Sequence, residues 1–192
     1  MEECHCCNII KGCGSGYQSK KYVVELEGGW VLNHFGLTDE NETYLGRLVL
    51  GTKCHRVDWG DLSLKEATTL GLNIQRINHS LRQYWAKNYP EDPIELVHIA
   101  YLNEGPYSEK WSGEELLRRL HVHTHLLPRT KQMGEALDYC GKKIDWHLVD
   151  YVGKFPPKYK VSSLKDEGVK TLMQHLQVSL YKGEVSSATN QD

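Results

Sequence analysis

Hydrophobic and polar residues alternate along the first part of the chain, then recur at helical spacing, and a second helical pattern closes the sequence. Tyr22-Val23-Val24-Glu25-Leu26 has the β-branched character of a strand, Gly28-Gly29 supplies a turn, and Trp30-Val31-Leu32-Asn33-His34 reads as the hairpin partner. Leu45 to Leu50 predicts a third strand and completes a meander. Ser63-Leu64-Lys65-Glu66 has the form of a capping box, and Ala67, Leu70, Ile74, Ile77 and Leu81 follow at helical spacing, so one amphipathic helix should lie across the sheet. Ile94 to Leu102 and Leu120 to Leu127 predict two more strands. The fold class is α+β, an antiparallel sheet of about five strands packed with a long helix.

The segment from Asn103 to Arg119 is too long for a tight hairpin and should hold either a short helix or a loop overhanging the last strand. After Pro128 the pattern is helical. Ile144, Leu148 and Val152 mark one apolar face, Phe155-Pro156-Pro157 interrupts, and Val169, Leu172, Met173, Leu176 and Leu180 mark another, as packing surface. The expected organisation is a domain over residues 1–130, a C-terminal helical extension over 131–183 packed on it, and a disordered tail over 184–192.

Composition narrows the functional class. The 23 basic and 25 acidic residues among 192 leave a small negative charge with no basic stripe, so no polymeric nucleic-acid partner is indicated. No apolar run is long enough to span a bilayer, and Met1-Glu2-Glu3-Cys4 lacks a cationic leader, so a cytoplasmic protein without membrane association is expected. Four of the six cysteines (Cys4, Cys6, Cys7, Cys13) crowd the first thirteen residues beside His5, which points to metal ligation and not to a disulfide framework.

The most specific chemistry lies in His121-Val122-His123-Thr124-His125. On a strand these three imidazoles project from one face. Their protonated forms would repel, which stability alone does not favour, so the row reads as a site. Three histidines converging on a catalytic metal is one way to use it, but that leaves the cysteine cluster unexplained.

The row, with two apolar residues after it, resembles the signature of the histidine triad superfamily of nucleotidyl hydrolases and transferases. The resemblance extends to Cys4-x-x-Cys7-Asn8-Ile9-Ile10, Trp30-Val31-Leu32, Lys53-Cys54-His55 and Pro128-Arg129, covering roughly residues 4 to 130. It implies that His123 is a nucleophile attacking the α-phosphorus of a nucleotide conjugate, a nucleoside phosphoramidate or a dinucleoside polyphosphate, to form a covalent nucleotidyl-histidine. The ring of His123 then needs an acceptor on its other nitrogen, with a backbone carbonyl expected. His125 would stand beside the phosphoryl group and donate to its oxygens. No carboxylate cluster suggests an obligatory magnesium. Thr124 departs from the hydrophobic residue usual at its position and requires a hydrogen-bond partner if buried.

The resemblance also implies nucleotide contacts at Asn33 and Asn103, a homodimer, and a structural zinc on Cys4, Cys7, His55 and His121. Two thiolates from Cys4-x-x-Cys7 supply half of a tetrahedral site. Cys6, His5, Cys13 and Cys54 compete as ligands. With or without metal, His55 and His121 should be neighbours. The alternative to an enzyme is a non-catalytic nucleotide-binding or interaction protein on a zinc-stabilised scaffold of this fold.

Overall fold

The computed structural model describes residues 4, 6–8, 23–35, 43–101, 113–138, 157–161 and 166–186, without the side chains of 135–138 and 182–186. Among the described residues the strands are β1 (Val23–Leu26), β2 (Trp30–His34), β3 (Thr43–Tyr44), β4 (Leu48–Thr52), β5 (Ile94–Ala100), β6 (His123–Thr130) and β7 (Lys160–Val161). The α-helices with both ends among the described residues are α1 (Leu64–Asn88), α2 (Gly113–Arg119), α3 (Lys131–Asp138) and α4 (Glu167–Ser186). One five-stranded antiparallel sheet runs β1-β2-β4-β6-β5, and β3 pairs with β7 in a small second sheet. The α+β class, the five-stranded sheet and the long helix agree with the sequence reading.

Alternation sorts the central strands into two faces. Trp30, Leu32, Leu48, Leu50 and Leu126 share one buried cluster with Ile77 and Leu81 of α1 and with Val169, Leu172, Met173, Leu176 and Leu180 of α4. Burying each such side chain is worth about 1.5–3 kcal/mol, so this layer holds the sheet and its helices together. The opposite face carries Val31, Asn33, Val49, His123 and His125, as the strand registers require. No helix among the described residues is long and apolar enough to cross a membrane.

The capping box forms as read: the Ser63 hydroxyl accepts from the Glu66 N–H, and the Glu66 carboxylate accepts from the Ser63 N–H. The buried stripe of α1 differs from the apolar spacing, however. Ala67 is exposed, while Glu66, Thr69 and Asn73 are buried in the first turns. These polar groups meet the β1–β2 turn: Asn73 Nδ2 donates to Glu27 O at 2.9 Å, and Trp30 Nε1 donates to Glu66 O at 2.8 Å. Gly28 has φ of 81°, and a β-carbon there would stand 1.9 Å from Thr69 Oγ1, so glycine is needed for both conformation and approach.

Two strands are displaced from their expected ranges. Gly46, with φ of 86°, ends β3 before β4 begins at Leu48, because the chain must pass against Trp85 and Pro128. The last strand starts at His123 instead of Leu120 and continues through Pro128 to Thr130. Proline is accommodated because the ladder to β4 ends at Leu126, so among the described residues Pro128 lies where β6 pairs with β5 alone.

The insertion holds the seven-residue helix α2, and residues 102–112 lie outside the described residues, as does the apolar pattern at Ile144, Leu148 and Val152. The C-terminal part packs on the core. Leu45 N–H donates to Tyr159 O at 2.7 Å, Tyr159 Oη donates to buried Asp92 at 2.7 Å, and α4 lies along α1. The tail expected from Glu184 falls on the last turn of α4 and on residues outside those described.

Candidate functional site

The four residues that could hold a metal ion come from three distant segments. Cys4 and Cys7 are one helical turn apart, with Asn8 N–H donating to Cys4 O at 3.0 Å, so both thiols present to the same side. His55 lies in the loop after β4, and His121 just before β6. The four ligand atoms of Cys4, Cys7, His55 and His121 lie within 4.8 Å of one another. Cys4 Sγ is 3.4 Å and Cys7 Sγ 3.5 Å from His121 Nδ1, and Cys7 Sγ is 3.5 Å from His55 Nδ1. The His55 and His121 rings are neighbours, 5.4 Å apart.

The surroundings prepare these groups as ligands. His121 Nε2–H donates to Thr52 O at 2.7 Å, which leaves the lone pair on Nδ1 directed at the two sulfurs. The hydrogen bond from the Cys6 thiol draws the Cys4 thiol down to about 3 against the opposing effect of burial, which favours the thiolate. The set is two cysteine sulfurs and two imidazoles, able to hold a metal ion that prefers a tetrahedral shell. Cys6 stays a thiol, its ionisation suppressed first by its bond to Cys4, then by burial. Cys54 is exposed and outside the set, and His5 and Cys13 lie outside the described residues.

The loop bearing His55 is held by the helix cap. Arg56 Nε donates to both oxygens of Glu66, at 3.3 and 3.1 Å, and Arg56 O accepts from Val122 N–H at 2.8 Å. The capping carboxylate at the start of α1 therefore fixes the loop after β4 against the segment carrying His121.

His123 and His125 stand on the same face of β6 with ring centroids 5.2 Å apart. His123 is half-buried, and its Nδ1–H donates to His121 O at 2.6 Å, which places the lone pair on Nε2. His125 is buried, with Phe35 edge-on to its ring at 5.1 Å and the Arg47 guanidinium 4.1 Å from the Phe35 centroid. Burial first, then the proximity of His123 and the charge on Arg47, pushes His125 down to about 3, so it is a neutral imidazole near pH 7. Thr124 faces the other way, 2% exposed, and its hydroxyl donates to Ala100 O at 3.1 Å, supplying the partner that burial demands.

Asn33 shares the face of these two histidines through the registers Asn33↔Val49 and Val49↔His125, and its buried Oδ1 has no hydrogen-bond partner among the described residues. His34 points to the opposite side, where it is fully buried, accepts from Gly46 N–H at 3.0 Å and donates to Phe35 O at 3.2 Å. Asn103 lies outside the described residues.

Sequence reasoning missed Thr52, Phe35, Arg47 and Arg56, which orient or surround the site histidines. None belongs to a residue type or spacing that marks chemistry by itself; only the fold brings them beside histidines.

No family model and no curated protein matches the chain. Among solved structures, a zinc-bound histidine triad family protein from Mycobacterium smegmatis superposes with TM-score 0.50 at 15% identity, over 95% of this chain and 96% of that one. A hypothetical histidine triad nucleotide-binding protein from Sulfolobus tokodaii strain7 superposes with TM-score 0.51 at 14% identity, over 98% of this chain and 99% of that one.

Proposed function

We propose, taking the histidine triad fold of this chain as the premise, that it is a nucleotide hydrolase or nucleotidyltransferase working through a covalent nucleotidyl-His123. One observation carries this reading: the bond from His123 Nδ1 to His121 O, which fixes the neutral tautomer a phosphorus-attacking imidazole requires. Nε2 forms a bond to the α-phosphorus while the bond to the leaving group breaks, and water then releases the nucleoside monophosphate and frees the ring. The substrate class is a nucleoside phosphoramidate or a dinucleoside polyphosphate, with water as the default acceptor.

Neutral His125 serves as a hydrogen-bond donor to a phosphoryl oxygen rather than as a standing acid, because its environment opposes protonation. Asn33 and Asn103 are the nucleotide-contacting candidates, Asn33 through its unpartnered buried oxygen. Zinc held by Cys4, Cys7, His55 and His121 would supply a structural tie between the N-terminal arm, the loop after β4 and the reactive strand. Thiolate ligands suit a reduced, cytoplasmic setting. The exposed Leu96 and Ile99 on edge strand β5 support a homodimer, which light scattering after size exclusion would test.

The test of the enzyme reading is incubation with labelled nucleoside phosphoramidates and dinucleoside polyphosphates, followed by adduct trapping under acid-free conditions. A labelled protein that is lost in His123→Ala is expected. No adduct and no turnover with any member of the panel would leave a nucleotide-binding or interaction scaffold and overturn the reading.

A further inference from the structure

One peptide group links the ring of His123 to the ion pair at the start of α1. The His121 carbonyl and the Val122 N–H belong to it. The carbonyl accepts from His123 Nδ1–H at 2.6 Å, and the N–H donates to Arg56 O at 2.8 Å. A trans peptide holds its C=O and N–H on opposite sides of one rigid plane, so a shift at either bond turns the other.

The sheet alone does not hold this group in place. The ladder between β4 and β6 ends at Gly51↔His123, and beyond it Thr52 N–H reaches Val122 O only at 3.4 Å. The bond from His121 Nε2 to Thr52 O fixes the imidazole, not the carbonyl. The plane of the 121–122 peptide therefore depends on the loop after β4, through Arg56 O.

That loop is anchored by a side chain that the proposed chemistry leaves unused. Arg56 Nε donates to both oxygens of Glu66, and the same carboxylate accepts from Ser63 N–H at 2.6 Å as the cap of α1. The Glu66 side chain is 4% exposed against 31% for Arg56, so the carboxylate end is shielded from the water that weakens surface pairs. A loop carbonyl is thereby referred to a 25-residue helix that packs on the core.

The bonds also run in one direction. His123 Nδ1–H donates to His121 O, and Val122 N–H of the same peptide donates onward to Arg56 O. Hydrogen bonds in series polarise one another, by roughly 10–30% per bond, so the bond to Arg56 makes His121 O a better acceptor. The Nδ1 proton is held more firmly, and electron density shifts toward Nε2.

We propose that Arg56, locked by Glu66, is a positioning residue that sets the tautomer of His123 and strengthens Nε2 as a nucleophile through the 121–122 peptide group. The effect on rate rests on the reading of His123 as the attacking residue; the effect on the tautomer does not.

Nuclear magnetic resonance of the isotopically labelled full-length protein at about pH 8.5, where ordinary imidazoles are neutral, reads both ring nitrogens of His123. The signals are assigned by their loss in His123→Ala. The wild type should show a single Nδ1–H tautomer, and Arg56→Met a mixture with Nε2–H. Glu66→Gln keeps an acceptor for the helix cap while removing the charge, and should move the same signals less. In the adduct assay Arg56→Met should slow labelling of His123 roughly tenfold with half-saturation unchanged, and Arg56→Lys should recover part of the loss. Should Arg56→Met unfold or lose metal, Glu66→Gln carries the comparison. The proposal is overturned if the folded variants keep the single tautomer of the wild type, or if the wild type itself holds the proton on Nε2. Absence of any adduct in the wild type would overturn nucleotidyl transfer instead, with the change of tautomer in Arg56→Met still expected.

Discussion

His121 and His123 are two residues apart, yet their rings are set in opposite ways. His121 precedes the regular strand, gives Nε2 to the Thr52 carbonyl and turns Nδ1 toward Cys4 and Cys7. His123 begins the strand and gives Nδ1 to the His121 carbonyl, so the opposite nitrogen holds its lone pair. The tautomers are reversed, and the reversal follows from which backbone carbonyl each ring can reach. Neighbours in the fold, not position in the row, decide which ring nitrogen of each imidazole keeps its lone pair.

The largest expected effect comes from removing the proposed nucleophile, His123, alone. His123→Ala should lower turnover of a nucleotide conjugate by four or more orders of magnitude, about 5 kcal/mol of barrier, with little change in thermal unfolding. A variant that loses stability in proportion to activity would erase the distinction from His121.

Attack on the other member should do the reverse. Cys4→Ser, or a chelator, is expected to cost roughly 4 kcal/mol of stability, about 10 °C in melting temperature, through loss of a tie between three segments. Metal analysis and thermal unfolding check this. No bound metal in the purified protein, with melting unchanged by a chelator, would mean that the four-residue cluster holds the fold without an ion.

A third, smaller effect separates buried neutral histidines from both. Burial, and then Arg47, leaves His34 with a folded-state value of about 3 against an ordinary 6.5. The unfolded chain therefore takes up a proton first as pH falls. Stability is full above about pH 6.5 and declines toward pH 3, by about 2 kcal/mol at pH 5 from His34 alone. Urea midpoints across this range should fall less steeply in His34→Gln than in the wild type; equal slopes would contradict the assignment.

The smallest effect lies between the two histidines of the reactive pair. Thr124→Val keeps shape but removes the hydroxyl bond to Ala100 O, at an expected cost of about 1 kcal/mol. Thermal unfolding should register a fall of a few degrees. Turnover should not change, because this side chain faces the helix layer.

Much of the fold was legible because its signals are local. The capping box at Ser63, the glycine turn after β1, and the apolar spacing from Val169 to Leu180 each depend on residues within a few positions, and each forms as read. Where the reading slipped, a distant group had intervened. The buried polar stripe of α1 answers to the β1–β2 turn, and the break at Gly46 answers to Trp85 and Pro128. The site divides in the same way: the types Cys, Cys, His and His were visible, but Thr52, Phe35, Arg47 and Arg56 acquire meaning only beside their histidines.

By itself the sequence determined the alternation that builds the sheet, the capped helix that covers it and the supply of imidazoles and thiols. Those follow from backbone geometry and side-chain chemistry, which act over a few residues. The tertiary structure alone decided that Cys4, Cys7, His55 and His121 converge, that His121 and His123 carry opposite tautomers, and that Arg56 lies against Glu66. Convergence, hydrogen-bond direction and local charge depend on which atoms chain folding brings within a few ångströms, and sequence spacing does not encode those distances.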